Sequence, residues 1–153
     1  VLAGGYVEEL VGKEGRILNS DFPFKGNMDV ELLKNRIATL GSENVAFVRM
    51  EAGTNLIGGQ PFSLKNLEEV SKVCRANKVS LVVDASLLSD NLHFMKTREK
   101  ACETMSINDI CLKIAEFSDI IYFSARKLGC ARGGGICTSD EALFKNAGIN
   151  PAL

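Results

Sequence analysis

The chain has no tryptophan, three prolines, two tyrosines and a single histidine, His93, in 153 residues. One imidazole excludes a histidine-rich metal centre within the chain. The five cysteines, Cys74, Cys102, Cys111, Cys130 and Cys137, are odd in number and show no C-x-x-C spacing. That argues against a disulfide framework and a zinc cluster alike, so no metal site is expected. No run approaches the ~18 apolar residues of a membrane-spanning helix, and the N-terminus lacks the basic-then-apolar order of a secretory signal. An excess of one charge is missing too: eighteen basic and nineteen acidic residues give a formal charge of -1. Neither nucleic acid nor an anionic bilayer is thereby indicated as a partner. The expected compartment is the cytoplasm, and the expected partners are small molecules.

What is present is patterned apolar sequence, 46% of the chain, enough to build a core. The first thirty residues are the hardest to assign: Tyr6 to Val11 reads as a short strand or a turn of helix, and Phe22 to Asn27 as a loop. Asp29 then begins a helical pattern, with Val30, Leu33, Ile37 and Leu40 on one face and Gly41 as the stop. Residues 45–50 read as a strand. Ser63 caps a second helix through Leu64, Leu67, Val70, Val73 and Cys74, which Asn77 ends. Strand 79–83, helices from Asp90 to Ala101 and from Ser106 to Phe117, and strand 120–124 follow. Ser106 and Asp109 have capping-box spacing, with Asp in place of Glu. Gly134 to Thr138 reads as a further strand and 140–146 as a helix. Strand and helix alternate, and the strands are too uniformly apolar for one wet face. The expected fold is α/β, a mainly parallel sheet flanked by helices, with both faces covered.

In such a sheet, Asp84 and Lys127 fall at carboxyl ends of strands, the edge where these folds place ligands. A carboxylate for a pyridine nitrogen and a lysine for an imine are the two protein groups that a pyridoxal phosphate site requires. Asp84 also suits a plainer role, capping the backbone of Ser86 or Leu87. Lys127 suits the role of α-proton base if burial beside Arg126 lowers its proton affinity; otherwise it is a solvated loop lysine. Ser124 and Arg126 are phosphate candidates by reach and type. Gly133-Gly134-Gly135 matches neither G-x-G-x-x-G nor a P-loop, and is either a close backbone approach or a tight entry into a buried strand. Asn55 offers donor and acceptor to a phenolic oxygen or a substrate carboxylate, or else ties its own loop. His93 reads as a surface or packed imidazole, and only Cys130 and Cys137 among the cysteines fall near the site.

An ordered set of segments makes the chain resemble the tryptophanase and tyrosine phenol-lyase family, the β-eliminating lyases of fold-type I pyridoxal phosphate enzymes. It runs from Leu2-Ala3-Gly4-Gly5 and Phe24-Lys25-Gly26-Asn27-Met28-Asp29 through Asn55 to Leu64 and Asn91 to Glu99, ending at Ser124-Ala125-Arg126-Lys127 and the glycine-rich strand entry. The resemblance implies that Lys127 is the aldimine lysine and Asp84 the partner of the pyridine nitrogen. It implies Ser124 near the phosphate and Asn55 near the phenolic oxygen and substrate carboxylate. Arg126 stands where a second lysine is usual. The resemblance also implies a homotetramer, an amino-acid substrate and a monovalent cation such as K+. The implied reaction is β-elimination from tryptophan or tyrosine, releasing indole or phenol with pyruvate and ammonia. The Ser-Ala-basic-Lys order is the more tryptophanase-like.

Two departures stand out: Leu87 replaces an arginine that usually follows the ring aspartate, and His93 replaces an aromatic residue. They keep open another fold-type I enzyme, such as an aminotransferase or a cysteine or threonine lyase, and an inactive α/β fragment. The chain starts without methionine and stops at Leu153, so it is expected to be the central part of a cofactor-binding large domain, residues 1–153. The N-terminal phosphate loop and the C-terminal small domain are expected to lie outside it.

Overall fold

A computed structural model of the protein describes residues 4–129 and 132–146. Helix α1, Val30–Leu40, starts where Oδ1 of Asp29 accepts the Leu32 N–H at 2.9 Å, and it ends at Gly41. Its Leu33 and Ile37 are buried, while Leu40 is exposed at the helix end. Strand β1 is Val48–Glu51, shorter at its start than expected. A 3-10 turn at Ser42–Asn44 delays pairing until the Val48 N–H reaches the Ser80 carbonyl, and Phe47 is left exposed.

Helix α2, Leu64–Ala76, has two caps. The Ser63 hydroxyl accepts the Asn66 N–H, and the Glu99 carboxylate accepts those of Leu64 and Lys65 at 2.7 and 2.9 Å. A carboxylate there satisfies orphan donors and sits at the positive end of the helix dipole. Strand β2, Leu81–Asp84, begins two residues later than expected. Helix α3, Leu88–Arg98, begins earlier and stops sooner than the expected Asp90 to Ala101, with a separate 3-10 turn at Lys100–Cys102. Helix α4, Ile107–Phe117, carries the expected capping box: the Ser106 hydroxyl and the Asp109 carboxylate each accept the other's backbone N–H. Strand β3, Ile120–Ser124, strand β4, Gly134–Thr138, and helix α5, Glu141–Asn146, complete the described chain.

The sheet order is β1-β2-β3-β4, with β1, β2 and β3 parallel and β4 antiparallel to β3. Register puts Val48, Met50, Leu81, Val83 and Ile121 on one face, and these join Leu67, Val70, Met95, Ile110 and Ile114 in a single core. Each such fully buried aliphatic side chain stabilises the fold by about 1.5–3 kcal/mol. The opposite face carries Arg49, Glu51, Val82, Asp84, Ile120 and Tyr122. Helices α1 to α4 all contribute to the core on the first face, so none of these four supplies the cover expected on the second. No described helix is long and apolar enough to cross a membrane.

Candidate active site

Asp84 ends β2, and Ser124 ends the adjacent parallel strand β3, whose following 3-10 turn, Ala125–Leu128, holds Arg126 and Lys127. The two groups singled out in the sequence therefore share one sheet edge. Asn55 opens the 3-10 turn Asn55–Ile57 that follows β1, so it belongs to the same edge.

Asp84 is buried, at 7% exposure, and fully engaged on one side. Its Oδ1 accepts the Ser86 N–H at 3.0 Å and the Ser86 hydroxyl at 2.6 Å; its Oδ2 accepts the Tyr122 hydroxyl at 2.9 Å. The capping role is thus real and occupies Oδ1. A carboxylate has roughly four acceptor directions, so Oδ2 retains one for a further donor. Burial opposes the charge, but the hydrogen bonds from Ser86 and Tyr122 and the nearby Arg49 guanidinium outweigh it. They hold Asp84 below the usual carboxylate range. An ionised acceptor with a free direction suits a protonated ring nitrogen, so the residues present fit pyridoxal phosphate.

Ser86 also links the two strand ends, because its Oγ accepts the Ser124 N–H at 3.0 Å. Ser124 is half-buried, whereas Arg126 and Lys127 are both exposed. Of the two readings of Lys127, the exposure matches the solvated loop lysine among the described residues rather than a buried one. Asn55 is exposed as well. Its carbonyl closes its own loop by accepting the Gly58 N–H, and its side-chain amide has no hydrogen bond among the described residues.

The triple glycine is explained by β3. Gly133 has φ +104°, and a Cβ at Gly134 or Gly135 would collide with the Phe123 carbonyl oxygen or ring. The tight strand entry is realised, although β4 is largely exposed rather than buried. Leu87 is half-buried against Gly53, where an added Cβ would lie 3.0 Å from the leucine Cβ and Cδ1. An apolar contact thus stands where an arginine is usual. His93 is exposed beside Phe94, and Cys137 is exposed; Cys130, with Leu2 and Ala3, lies outside the described residues.

The other motif segments do structural work. Asn91, fully buried, accepts the N–H groups of Phe62 and Gly53 on Oδ1 and donates to the Phe62 carbonyl. Asn27 accepts the Ser63 N–H, and Asn66 pairs with both backbone groups of Met28. A groove of about 370 Å³ beside them, lined by Phe22, Phe24, Asn27, Asn66, Arg98 and Glu99 among others, contains none of the candidate site residues. Sequence reading missed Arg49 and Tyr122, and gave no role to the Ser86 hydroxyl or the Asn91 side chain. The available signal was Arg49, a charge inside an apolar strand.

The model of the family described as beta-eliminating lyase matches residues 1–148. The chain belongs to the beta-eliminating lyase family. Among its relatives, the tyrosine phenol-lyase of Clostridium tetani is 34% identical over 145 residues, 94% of this chain and 32% of that protein. A probable beta-eliminating lyase of Trichomonas vaginalis is 31% identical, covering 84% of this chain and 28% of that protein. The chain thus spans about a third of the length of these relatives. Among solved structures, the threonine aldolase of Leishmania major aligns over 80% of this chain and 33% of its own, with TM-score 0.58 and 21% identity, a likeness of fold. A putative aromatic amino acid beta-eliminating lyase/threonine aldolase from Exiguobacterium aligns at TM-score 0.50 and 27% identity over 66% of this chain and 25% of its own.

Proposed function

We propose that the chain is the central part of the cofactor-binding domain of a lyase that uses pyridoxal phosphate to eliminate the β-substituent of an aromatic amino acid. The observation that carries this reading is the buried, ionised Asp84 with one free acceptor direction, on the same sheet edge as Lys127. Asp84 would accept from the ring nitrogen of the cofactor. Ser124 and Arg126 would hold its phosphate, and Asn55 would bind the phenolic oxygen or the substrate carboxylate. Lys127 would hold the cofactor through Nζ, and the same atom would serve as the base for the α-proton. When bound there, pyridoxal phosphate would supply the electron sink for the charge left on the α-carbon. Lys127 is exposed in this chain, so the rest of the full-length protein has to shield it. A homotetramer in the cytoplasm, with a monovalent cation such as K+, goes with this reading.

The names of the relatives favour tyrosine over tryptophan as substrate. Leu87 favours a second reading, in which another amino acid is the substrate, because its side chain brings neither charge nor donors to the site.

The test is borohydride reduction of the full-length protein with pyridoxal phosphate, followed by peptide mapping. Label is expected on Lys127, and label on another lysine overturns the assignment. Lys127→Ala should abolish labelling and slow pyruvate release from tyrosine or tryptophan by at least the ~10²–10⁴-fold that a general base supplies. Labelling at Lys127 without pyruvate from either amino acid selects the second reading.

A further inference from the structure

The open face of the sheet carries an arrangement that these roles leave unused. Arg49 on β1 and Tyr122 on β3 flank β2, and their side chains meet across it: Arg49 Nη1 donates to the Tyr122 hydroxyl at 3.2 Å. That hydroxyl donates in turn to Oδ2 of Asp84 at 2.9 Å. Val82, on this face, is only 8% exposed without belonging to the helix-side core, as expected if the pair covers it. The chemistry of the pair gives it a direction. A guanidinium only donates, so contact with Arg49 engages a lone pair of the phenol and leaves its proton for the carboxylate.

We propose that Tyr122 and Arg49 are positioning residues: Arg49 orients the Tyr122 hydroxyl, and the hydroxyl fixes Oδ2 of Asp84 so that a single acceptor direction remains for a cofactor ring nitrogen. The proposal rests on the functional reading above. Ser86 alone restrains only Oδ1, and without Tyr122 the second oxygen has no protein donor among the described residues.

Arg49 has a second task. Glu51 is in register with Asp84 on the same face, and its Oε2 lies 3.7 Å from Arg49 Nη2. The guanidinium thus serves two carboxylates, pairing with Glu51 and favouring the charge on Asp84. The charged and titratable groups facing Asp84 are therefore Arg49 and Glu51 from β1 and Tyr122 from β3, with Arg126 and Lys127 in the turn at the same edge. Leu87, three residues after Asp84, supplies no donor. The cation for this carboxylate comes from the neighbouring strand.

The test uses full-length protein with Tyr122→Phe, Arg49→Gln and Arg49→Lys, each checked for a wild-type circular dichroism spectrum. In cofactor-free protein, the ¹³C titration of the Asp84 carboxyl should move to higher pH in Tyr122→Phe and Arg49→Gln, with partial restoration in Arg49→Lys. In protein loaded with pyridoxal phosphate, Tyr122→Phe should lower kcat about tenfold with KM changed less than about threefold, the pattern of a lost transition-state interaction. The pH dependence of the cofactor's visible absorbance should shift with it. An unmoved Asp84 titration in Tyr122→Phe overturns the proposal alone, whether or not the protein takes up cofactor. A moved titration with unchanged kcat and absorbance also overturns it, by reducing the pair to a structural contact. Failure of wild-type protein to be labelled at any lysine overturns the functional reading, and the cofactor role of the pair with it.

Discussion

The two faces of the sheet divide between them what most residues of a domain share. On β2, Leu81 and Val83 point into the helix layer and are about as buried as side chains get, at 1% and 0% exposure. Val82 and Asp84, alternating with them, lie under Arg49 and Tyr122 instead. One face is held by non-directional apolar burial, the other by a few directed hydrogen bonds. The first sets whether the domain folds, and the second sets where one carboxylate points. The strand's period of two lets four consecutive residues serve both ends without compromise.

If the division is sound, substitutions should separate cleanly. The largest effect on stability belongs to the covered face: Leu81→Ala should cost about 2–5 kcal/mol in urea denaturation, the range for a core leucine. A loss of under about 1 kcal/mol would mean that the covered face does not carry the fold. Asn91→Leu should come next, because it leaves the Phe62 N–H and carbonyl and the Gly53 N–H without their partner in a buried setting. A cost of about 1–3 kcal/mol is expected. Wild-type stability in that variant would show that the loop after β1 is held by other contacts.

The smallest effect is one of pH, and its sign differs between the faces. Asp84 titrates lower in the folded protein than its ordinary value near 3.8. Its contribution is present above that value and lost as pH falls through the folded one, so Asp84→Asn should flatten the acid limb of stability against pH. Cys74, in the core, is pushed up to about 12 by burial, with Asp119 adding to the rise. Its contribution is present below the ordinary thiol value of 9.0 and is lost as pH climbs toward 12, so Cys74→Ala should flatten the alkaline limb. An unaltered acid limb in Asp84→Asn would remove the electrostatic half of the comparison.

The local half of this structure was legible in the sequence. Asp29, Ser63 and Ser106 start their helices by bonding a backbone N–H three residues on, a geometry fixed within one turn. Ile120 to Ser124 and Gly134 to Thr138 form strands at the residues expected. The misread boundaries lie where distant groups intervene. Helix α3 stops at Arg98 while Glu99 turns to the start of α2, 35 residues earlier. For the candidate site, the placing of Asp84, Ser124, Lys127 and Asn55 at one sheet edge was legible because the ends of parallel strands are a predictable place. Tyr122 was hidden in an apolar run, and its partner Arg49 lies 73 residues away. No spacing rule spans that distance, and only the register of three strands brings the pair together.

The antiparallel return of β4 gives the lysine turn a fixed footing. Ser124 pairs with Gly134, and the Ala125 N–H reaches the Gly133 carbonyl at 3.0 Å, so the segment bearing Lys127 leaves and rejoins the ladder at one place. Its span at the base is set by the hairpin, whatever residues lie between. Doubling such a loop adds only about 0.6 kcal/mol of closure entropy. The strand ladder alone thereby anchors the base of the segment that carries the amine.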